Sequence, residues 1–355
     1  MIFEGKTILV TGGTGSMGKT FVRRVLGGEL GTPRKVIVLS RDEAKQHEMR
    51  LDYLHRRVST DDVIYNNFVN VLEFRIGDVR AYEDMCSAVR GADIVVNAAA
   101  LKQVPTCEYF PMQAIQTNCV GAFNIVRAIE ENGYPVDSVI GISTDKACKP
   151  VNVMGMTKSL QERIFVSANI LNRRTRFVCV RYGNVLASRG SVIPVFHDQI
   201  RSGGPVTLTH PQMTRFLLSL EQAVDTVFTA LREARAGETY VPRAPAATVE
   251  NLARALIGSR DIALKVIGIR PGEKMHEIMV SEEEIHHTVR RGDYYAIRPM
   301  LPELRDGAWD EPGGLTKEFS SDDTVLDLAG TIALLRQHRL MIEDVDLAEA
   351  GELLR

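Results

Sequence analysis

Up to about residue 185 the chain alternates short apolar runs with longer stretches whose apolar residues recur at helical spacing. The runs are Thr7–Thr11, Lys35–Ser40, Val71–Ile76, Ile94–Ala98, Ser138–Ser143 and Arg176–Arg181. They are rich in Val and Ile and scarcely alternate with polar residues, the pattern of parallel strands covered on both faces. After the first run, Phe21, Val22, Val25 and Leu26 form one apolar stripe of a helix. Such alternation predicts an α/β fold, a doubly wound parallel sheet. Right-handed crossovers would then line the strand C-termini, and any ligand, along one edge.

Beyond residue 185 the rhythm changes. Gly190, Gly203-Gly204-Pro205, Pro211 and the stretch from Pro242 to Pro245 punctuate shorter elements. The reading is a dinucleotide-binding domain over 1–185, a smaller substrate-binding lobe over 186–325, and a C-terminal helical extension over 326–355. Lys265–Ile269 is expected to return one strand to the main sheet, and residues 299–314 to form an irregular connection. The amphipathic pattern of the last segment begins at about Asp323.

Composition narrows the function classes. The 355 residues are 45% hydrophobic and 25% charged, with 43 Lys+Arg against 45 Asp+Glu and a net charge of −2. That is the balance of a folded globular protein, not of a disordered chain. It also argues against duplex nucleic acid as a partner, which calls for excess cations facing phosphates. No apolar run approaches the roughly 18 residues of a membrane helix, and Met1–Lys6 lacks a signal-peptide apolar stretch. Five cysteines without a Cys-x-x-Cys pair suit a reducing cytoplasm rather than a disulfide framework. His210, His276, His286 and His287 show no zinc-ligand spacing with them, so no metal site is expected.

The strongest chemical signal is Thr11-Gly12-Gly13-Thr14-Gly15-Ser16-Met17-Gly18, directly after a strand pattern and opening a helical one. Glycines there permit a tight turn and close backbone approach to a pyrophosphate at a helix N-terminus. Gly12, Thr14, Gly15, Ser16, Met17 and Gly18 are therefore candidate dinucleotide contacts. The spacing Gly12-x-x-Gly15-x-x-Gly18 resembles that of the short-chain dehydrogenase/reductase superfamily. At the end of the second strand stand Ser40-Arg41-Asp42-Glu43-Ala44-Lys45. Arg41, helped by Lys45, suits the 2′-phosphate of NADP. Asp42 keeps NAD open, and the alternative reading is that these are solvated charges at a helix start. The superfamily resemblance implies that Asp78, followed by Val79, contacts adenine. It also suggests that Ala98, Ala99 and Ala100 let the backbone lie against the cofactor.

Ser143-Thr144-Asp145-Lys146 ends the fifth strand, beside that cofactor edge. An adjacent acid and amine are the parts needed for proton transfer at neighbouring carbons. The alternative is a helix-capping Asp and a solvated Lys. On the following helix the superfamily's Tyr-x-x-x-Lys reads Met154-Gly155-Met156-Thr157-Lys158. Lys158 remains available to the nicotinamide ribose, but Met154 has no proton to transfer.

In combination, Thr11–Gly18, Ser40–Lys45, Ala98–Pro105, Ser143–Ala147, Arg181–Val185, Ser188–Pro194, Met213–Phe216, Arg270–Lys274 and Gly292–Tyr295 resemble the soluble UDP-N-acetylglucosamine 4,6-dehydratases, extended short-chain dehydrogenases, over about residues 3–325. The Met at the tyrosine position resembles the 5-inverting subgroup of capsule and O-antigen pathways. The resemblance implies an internal redox cycle through bound NADP: oxidation at sugar C4, loss of water across C5/C6, reduction at C6. It makes Asp145 the acid at the C6 hydroxyl, Lys146 the base at C5, and Lys158 a third catalytic residue. It places Lys102, Ser143, Lys158, Tyr182, Asn184 and Val185 beside the cofactor. For the UDP-sugar it implicates Lys102, Met154, Asn184, Arg189, Val192, Thr209, Arg215, Arg270 and Glu273. Arg189 and Arg215 read equally well as structural. As a base Lys146 should be neutral, so its pKa is expected to be lowered by desolvation and the nearby cofactor cation, against the opposing pull of the adjacent carboxylate. The family's habit implies a homo-oligomer, commonly a hexamer. Two other readings stand: a UDP-sugar 4-epimerase, and a non-catalytic dinucleotide sensor.

Overall fold

A computed structural model describes residues 1–55, 62–186, 191–305 and 313–344. The strands are β1 (Thr7–Thr11), β2 (Lys35–Ser40), β3 (Leu72–Ile76), β4 (Ile94–Asn97), β5 (Ser138–Thr144), β6 (Arg176–Tyr182), β7 (Asn184–Val185), β8 (Val206–Leu208) and β9 (Thr214–Leu218). They continue as β10 (Thr239–Pro242), β11 (Ala246–Thr248), β12 (Leu264–Val266), β13 (Ile278–Val280), β14 (Thr288–Arg291), β15 (Tyr294–Ile297), β16 (Phe319–Ser320) and β17 (Val325–Leu326). One nine-stranded sheet runs in the order β14-β15-β10-β6-β5-β4-β1-β2-β3. From β10 to β3 its strands are parallel; β15 and β14 close one edge as an antiparallel hairpin.

Successive residues of each central strand enter opposite cores. Ile8 and Val10 of β1, with Val36 and Val38 of β2, pack against Phe21 and Val25 of the helix Ser16–Leu26 and Phe228 of the helix Leu220–Glu233. Leu9, Ile37 and Leu39 pack on the other face with Met85, Ile125, Ile129 and Phe165. Burial on both faces is why these strands read as unbroken apolar runs. The chain leaves β1 toward β2 on one side and passes from β3 to β4 on the other. The topological switch therefore lies between β1 and β4, where a crevice forms beyond their C-terminal ends.

Two structural expectations are corrected. The run Lys265–Ile269 does not join the main sheet: its strand, β12, pairs with β8 in a separate two-stranded sheet, and Val266, Ile267 and Ile269 are about half exposed. The strands that do return are β10, beside β6, and the β14–β15 hairpin, so the stretch 186–325 is interleaved with the sheet rather than separate from it. The lobe has its own core, including Phe196, Leu208, Leu217, Leu252 and Leu256. The C-terminal segment begins as β17, paired to β11, followed by the helix Leu328–Gln337; residues 345–355 lie outside the described residues. No described helix is long and apolar enough to cross a membrane, and the five cysteines are free thiols.

Candidate active site

The glycine turn after β1 is shaped by close backbone packing. Gly12 has φ +67°, and a Cβ there would lie 2.7 Å from the Ala99 nitrogen. A Cβ on Gly18 would lie 2.5 Å from Gly13 Cα, so the helix start can touch the turn only as glycine. Gly15 caps the helix Ser16–Leu26 without a side-chain hydrogen bond, leaving the positive helix end for a ligand. Thr11 Oγ1 donates to Asn97 Oδ1 at 2.7 Å and accepts from the Ala99 amide at 3.3 Å; Thr14 Oγ1 donates to Ser40 Oγ at 3.2 Å. These bonds join the turn to the ends of β4 and β2 as one edge, with Ala98–Ala100 running directly beneath Gly12. A dinucleotide pyrophosphate fits this cradle. Gly18→Ala is expected to weaken dinucleotide binding roughly 10- to 100-fold, the equivalent of an overpacking cost of about 1–3 kcal/mol, measured by calorimetric titration.

At the outer end of β2, Arg41 is exposed, its guanidinium 3.6 Å from Asp78. The Asp42 carboxylate is engaged locally: it accepts from the Lys45 amide at 3.0 Å and pairs with Lys45 Nζ at 2.7 Å. The acid that would mark an NAD site is thus occupied as a helix cap. Asp78 accepts from Arg80 Nε at 2.8 Å; burial pushes its carboxyl up, but Arg80 and Arg41 outweigh that and hold it below the usual range. Val79 is buried beneath Gly121, its carbonyl accepting from Asn124 Nδ2 at 2.9 Å.

The chemistry concentrates where β5 ends in a short 3₁₀ turn, Asp145–Ala147. Thr144, not Asp145, caps that turn. Asp145 is wholly buried: Oδ1 accepts from Thr144 Oγ1 at 2.9 Å and from Lys146 Nζ at 3.0 Å, while Oδ2 has no partner. Lys146 Nζ also donates to Asn184 Oδ1 at 3.4 Å and lies 3.2 Å from Glu277 Oε1. Burial raises the Asp145 carboxyl above its ordinary range, suiting it to carry a proton. Lys146 departs from expectation. Burial would lower it, but Asp145 and Glu277 together outweigh burial and raise it, so the resting group is an ammonium. The second carboxylate, Glu277, is the reason.

One helical turn beyond Met154, Lys158 is buried and donates to Gln161 Oε1 at 2.7 Å; Gln161 is itself anchored to the Ile142 carbonyl. Its partner is an amide, not a carboxylate, and burial brings the amine down to about 8. Met154 packs in a small apolar cluster with Cys107 and Ala114.

Residues 8–299 match the family described as "Polysaccharide biosynthesis protein". The chain is 45% identical over 303 residues to "UDP-N-acetylglucosamine 4,6-dehydratase (inverting)" of Campylobacter jejuni subsp. jejuni serotype O:23/36, covering 84% of this chain and 85% of that one. The protein belongs to this polysaccharide biosynthesis family. Identity is also 45%, over 305 residues and 84% of each chain, to a protein of Rickettsia typhi named "UDP-glucose 4-epimerase". Among solved structures, Pen from Bacillus thuringiensis superposes with a TM-score of 0.85 at 30% identity, over 96% of this chain and all of that one. The Streptomyces venezuelae dTDP-glucose 4,6-dehydratase DesIV, solved with NAD and TYD, shares the extended Rossmann fold at TM-score 0.63 and 21% identity, over 76% and 86% of the two chains.

In this family member the remaining sequence-selected residues fall into three groups. Asn184, Val185 and the exposed Lys102 lie at or next to the sheet edge that carries Lys146 or Gly12. Arg270 is exposed, and its amide donates to Glu273 Oε2 at 3.2 Å; the intervening Gly272 carbonyl accepts from Asn152 Nδ2 at 2.8 Å, seating this turn on the start of the helix Val153–Leu171. Val192 and Thr209 are half-buried in the lobe, Thr209 Oγ1 donating to Met213 Sδ at 3.1 Å.

Ser143 and Tyr182 are engaged within the protein, and Arg215 takes the structural of its two readings. Ser143 Oγ donates to Glu162, and Tyr182 is buried in the core. Arg215 is buried and donates to the Thr214, Lys274 and Met275 carbonyls, with Nε 3.9 Å from Glu277; it positions Glu277 and its loop. Arg189 lies outside the described residues. Sequence reasoning missed Glu277, which comes from a segment far along the chain with no motif tying it to Lys146. It also missed the buried Glu162–Arg181–Glu284 network behind the site.

Proposed function

We propose that this protein is a UDP-N-acetylglucosamine 4,6-dehydratase that inverts C5, a lyase working by internal redox through bound NADP. The observation that carries this reading is the buried Asp145–Lys146–Glu277 cluster at the dinucleotide edge, with methionine where a proton-bearing tyrosine would stand. NADP would be held by the Gly12–Gly18 cradle, by Arg41 and Lys45 at the 2′-phosphate, and by Lys158 at the nicotinamide ribose. When bound, it supplies a hydride acceptor at sugar C4 and a donor at C6. Engagement of Asp42 by Lys45 favours NADP over NAD.

The chain's own residues move the protons. Lys158, near pKa 8, accepts the 4-hydroxyl proton that Met154 cannot. Once C4 is a ketone, the C5 proton is acidic and passes to Lys146. Asp145 then delivers its proton to the C6 oxygen, and water leaves. Arg270 and Glu273 grip the UDP moiety, with Thr209, Val192, Asn184 and Lys102 along the sugar nucleotide. Because Lys158 must be neutral to accept a proton, kcat/KM is expected to rise with pH through an inflection near 8, and Lys158→Met should remove that inflection.

A 4-epimerase, the name carried by the rickettsial relative, needs no acid at C6. A buried carboxyl raised by burial beside an amine is what elimination needs, so dehydration is the reading supported here. A dinucleotide sensor would need neither group. Proton and carbon NMR of the product from UDP-N-acetylglucosamine tests this directly: a C6 methyl with inverted C5 is expected, and a UDP-hexosamine epimerised only at C4 would contradict it. Tyr109, Phe110, Met112, Phe123, Met156 and Leu160 are exposed apolar residues on neighbouring helices, a face suited to self-association in a cytoplasmic homo-oligomer, a hexamer by the family's habit.

A further inference from the structure

The proton transfers above leave the buried acid beside Lys146 without a role. Glu277 is 2% exposed and reaches the site from the segment entering β13. Its amide donates to Ser321 Oγ at 2.9 Å, and its carbonyl accepts from the Ser321 amide at 2.8 Å, so its backbone is fixed. Oε1 lies 3.2 Å from Lys146 Nζ. Oε2 has no hydrogen-bond partner. Merely anchoring Lys146 requires one oxygen. A second, orphaned buried oxygen costs about 1–3 kcal/mol or more, a cost that is smaller for a neutral carboxyl than for a carboxylate.

We propose that Glu277 is the proton partner of Lys146, taking the ammonium proton so that Lys146 meets the sugar's C5–H as a neutral amine. This rests on the dehydratase reading. The balance closes at each step. An Nζ–H bond breaks as an Oε–H bond forms, with no change in the cluster's total charge. Lys146 then takes the C5 proton, the C5–H electron pair becomes the C5–C6 π bond, and the C6–O bond breaks as Asp145 protonates the departing hydroxyl. With C6 reduced, a solvent proton added at C5 from the face opposite Lys146 gives the inverted product, and the cluster returns one proton to solvent. The proton released from the 4-hydroxyl restores Asp145. Charged groups face Glu277 from several elements. Asp145 and Lys146 face it from the β5 turn, Arg215 from β9, and Lys274 from its own segment, while His276 turns its Nδ1 toward Thr214 Oγ1 at 2.8 Å. Burial would raise the Glu277 carboxyl, but Lys146, Arg215 and Lys274 outweigh it and lower it, so in the resting site Glu277 is a carboxylate beside an ammonium and takes the proton only as the reaction proceeds.

The test uses wild-type, Glu277→Gln and Glu277→Asp holoenzymes with UDP-N-acetylglucosamine, recording kcat, KM, the pH profile and deuterium incorporation at C5 in D2O. Glu277→Gln should lower kcat at least 100-fold with KM within threefold. Its kcat should climb steadily with pH, because Lys146 can then lose its proton only to solvent. Glu277→Asp should recover at least tenfold of the loss and restore C5 exchange. A Gln variant with kcat within threefold of wild type overturns the proposal, as does a loss with an unchanged pH profile and no recovery in Asp. Should the Gln variant fail to fold, the Asp profile decides: an altered pH limb supports the role and an unchanged one overturns it. A wild type that leaves the substrate unconverted overturns the dehydratase reading itself, whereas an active wild type with an indifferent Gln variant overturns only the role of Glu277.

Discussion

Lys146→Met should abolish turnover, by at least about 1000-fold, while UDP-sugar affinity stays within a few-fold. The expected loss is roughly 4 kcal/mol of transition-state stabilisation, the upper part of what one positioned proton-transfer group contributes. Affinity should survive because the nucleotide grip proposed above, at the Arg270–Glu273 turn seated on Asn152, is separate from Lys146. The fold should survive as well. Without the ammonium, burial raises the Asp145 carboxyl with less to oppose it, and Glu277 keeps Arg215 3.9 Å away. Single-turnover product formation and calorimetric titration with UDP check the two halves of this expectation, and unchanged turnover would remove Lys146 from the mechanism.

Arg181→Met should have the opposite profile, a large stability loss. Arg181 is 3% exposed and grips two carboxylates at once: Nη2 lies 2.7 Å from Glu162 Oε2, and Nη1 lies 2.8 Å from Glu284 Oε2. A further bond from Nη1 reaches the Met279 carbonyl at 2.8 Å. Burial pushes the Glu284 carboxyl up, yet Arg181 and its hydrogen bonds pull it down to about 2. Glu284 therefore contributes stability that is present above its unfolded pKa and lost as pH falls toward 2. Removing the cation strands two buried negative charges, at a cost of about 3–5 kcal/mol. That should lower the melting temperature by about 4–7 °C. In the variant Glu284 loses the cation that lowers it and burial raises it, so the deficit should be greatest at pH 8 and shrink toward pH 5, where protonation relieves it. Melting curves at the two pH values decide this, and an equal deficit at both would show that the network is not electrostatic.

The sequence made the central sheet readable because parallel strands buried on two faces have no polar alternation to confuse with loops. β1 to β6 lie within one residue of the apolar runs that announced them. The same logic misled at Lys265–Ile269, where an apolar run ends in half-exposed residues on a two-stranded ribbon. The returning strands were hidden for converse reasons. β10 is four residues long and ends in Pro242, and the turn between β14 and β15 is flanked by Arg290, Arg291 and Asp293. At the site, the glycine turn and Asp145–Lys146 were legible because local geometry dictates their residue types. The charge state of Lys146 was not, since it depends on Glu277, which only the tertiary fold brings to 3.2 Å.

The central claim is that hydrogen moves within one sugar, from C4 to C6, while water is lost between them. It is tested most directly with UDP-N-acetylglucosamine carrying deuterium at C4, incubated with the holoenzyme in ordinary water. The account predicts that the label appears in the C6 methyl of the product. Label retained at C4 of an epimerised sugar, or a product methyl without deuterium, would contradict it.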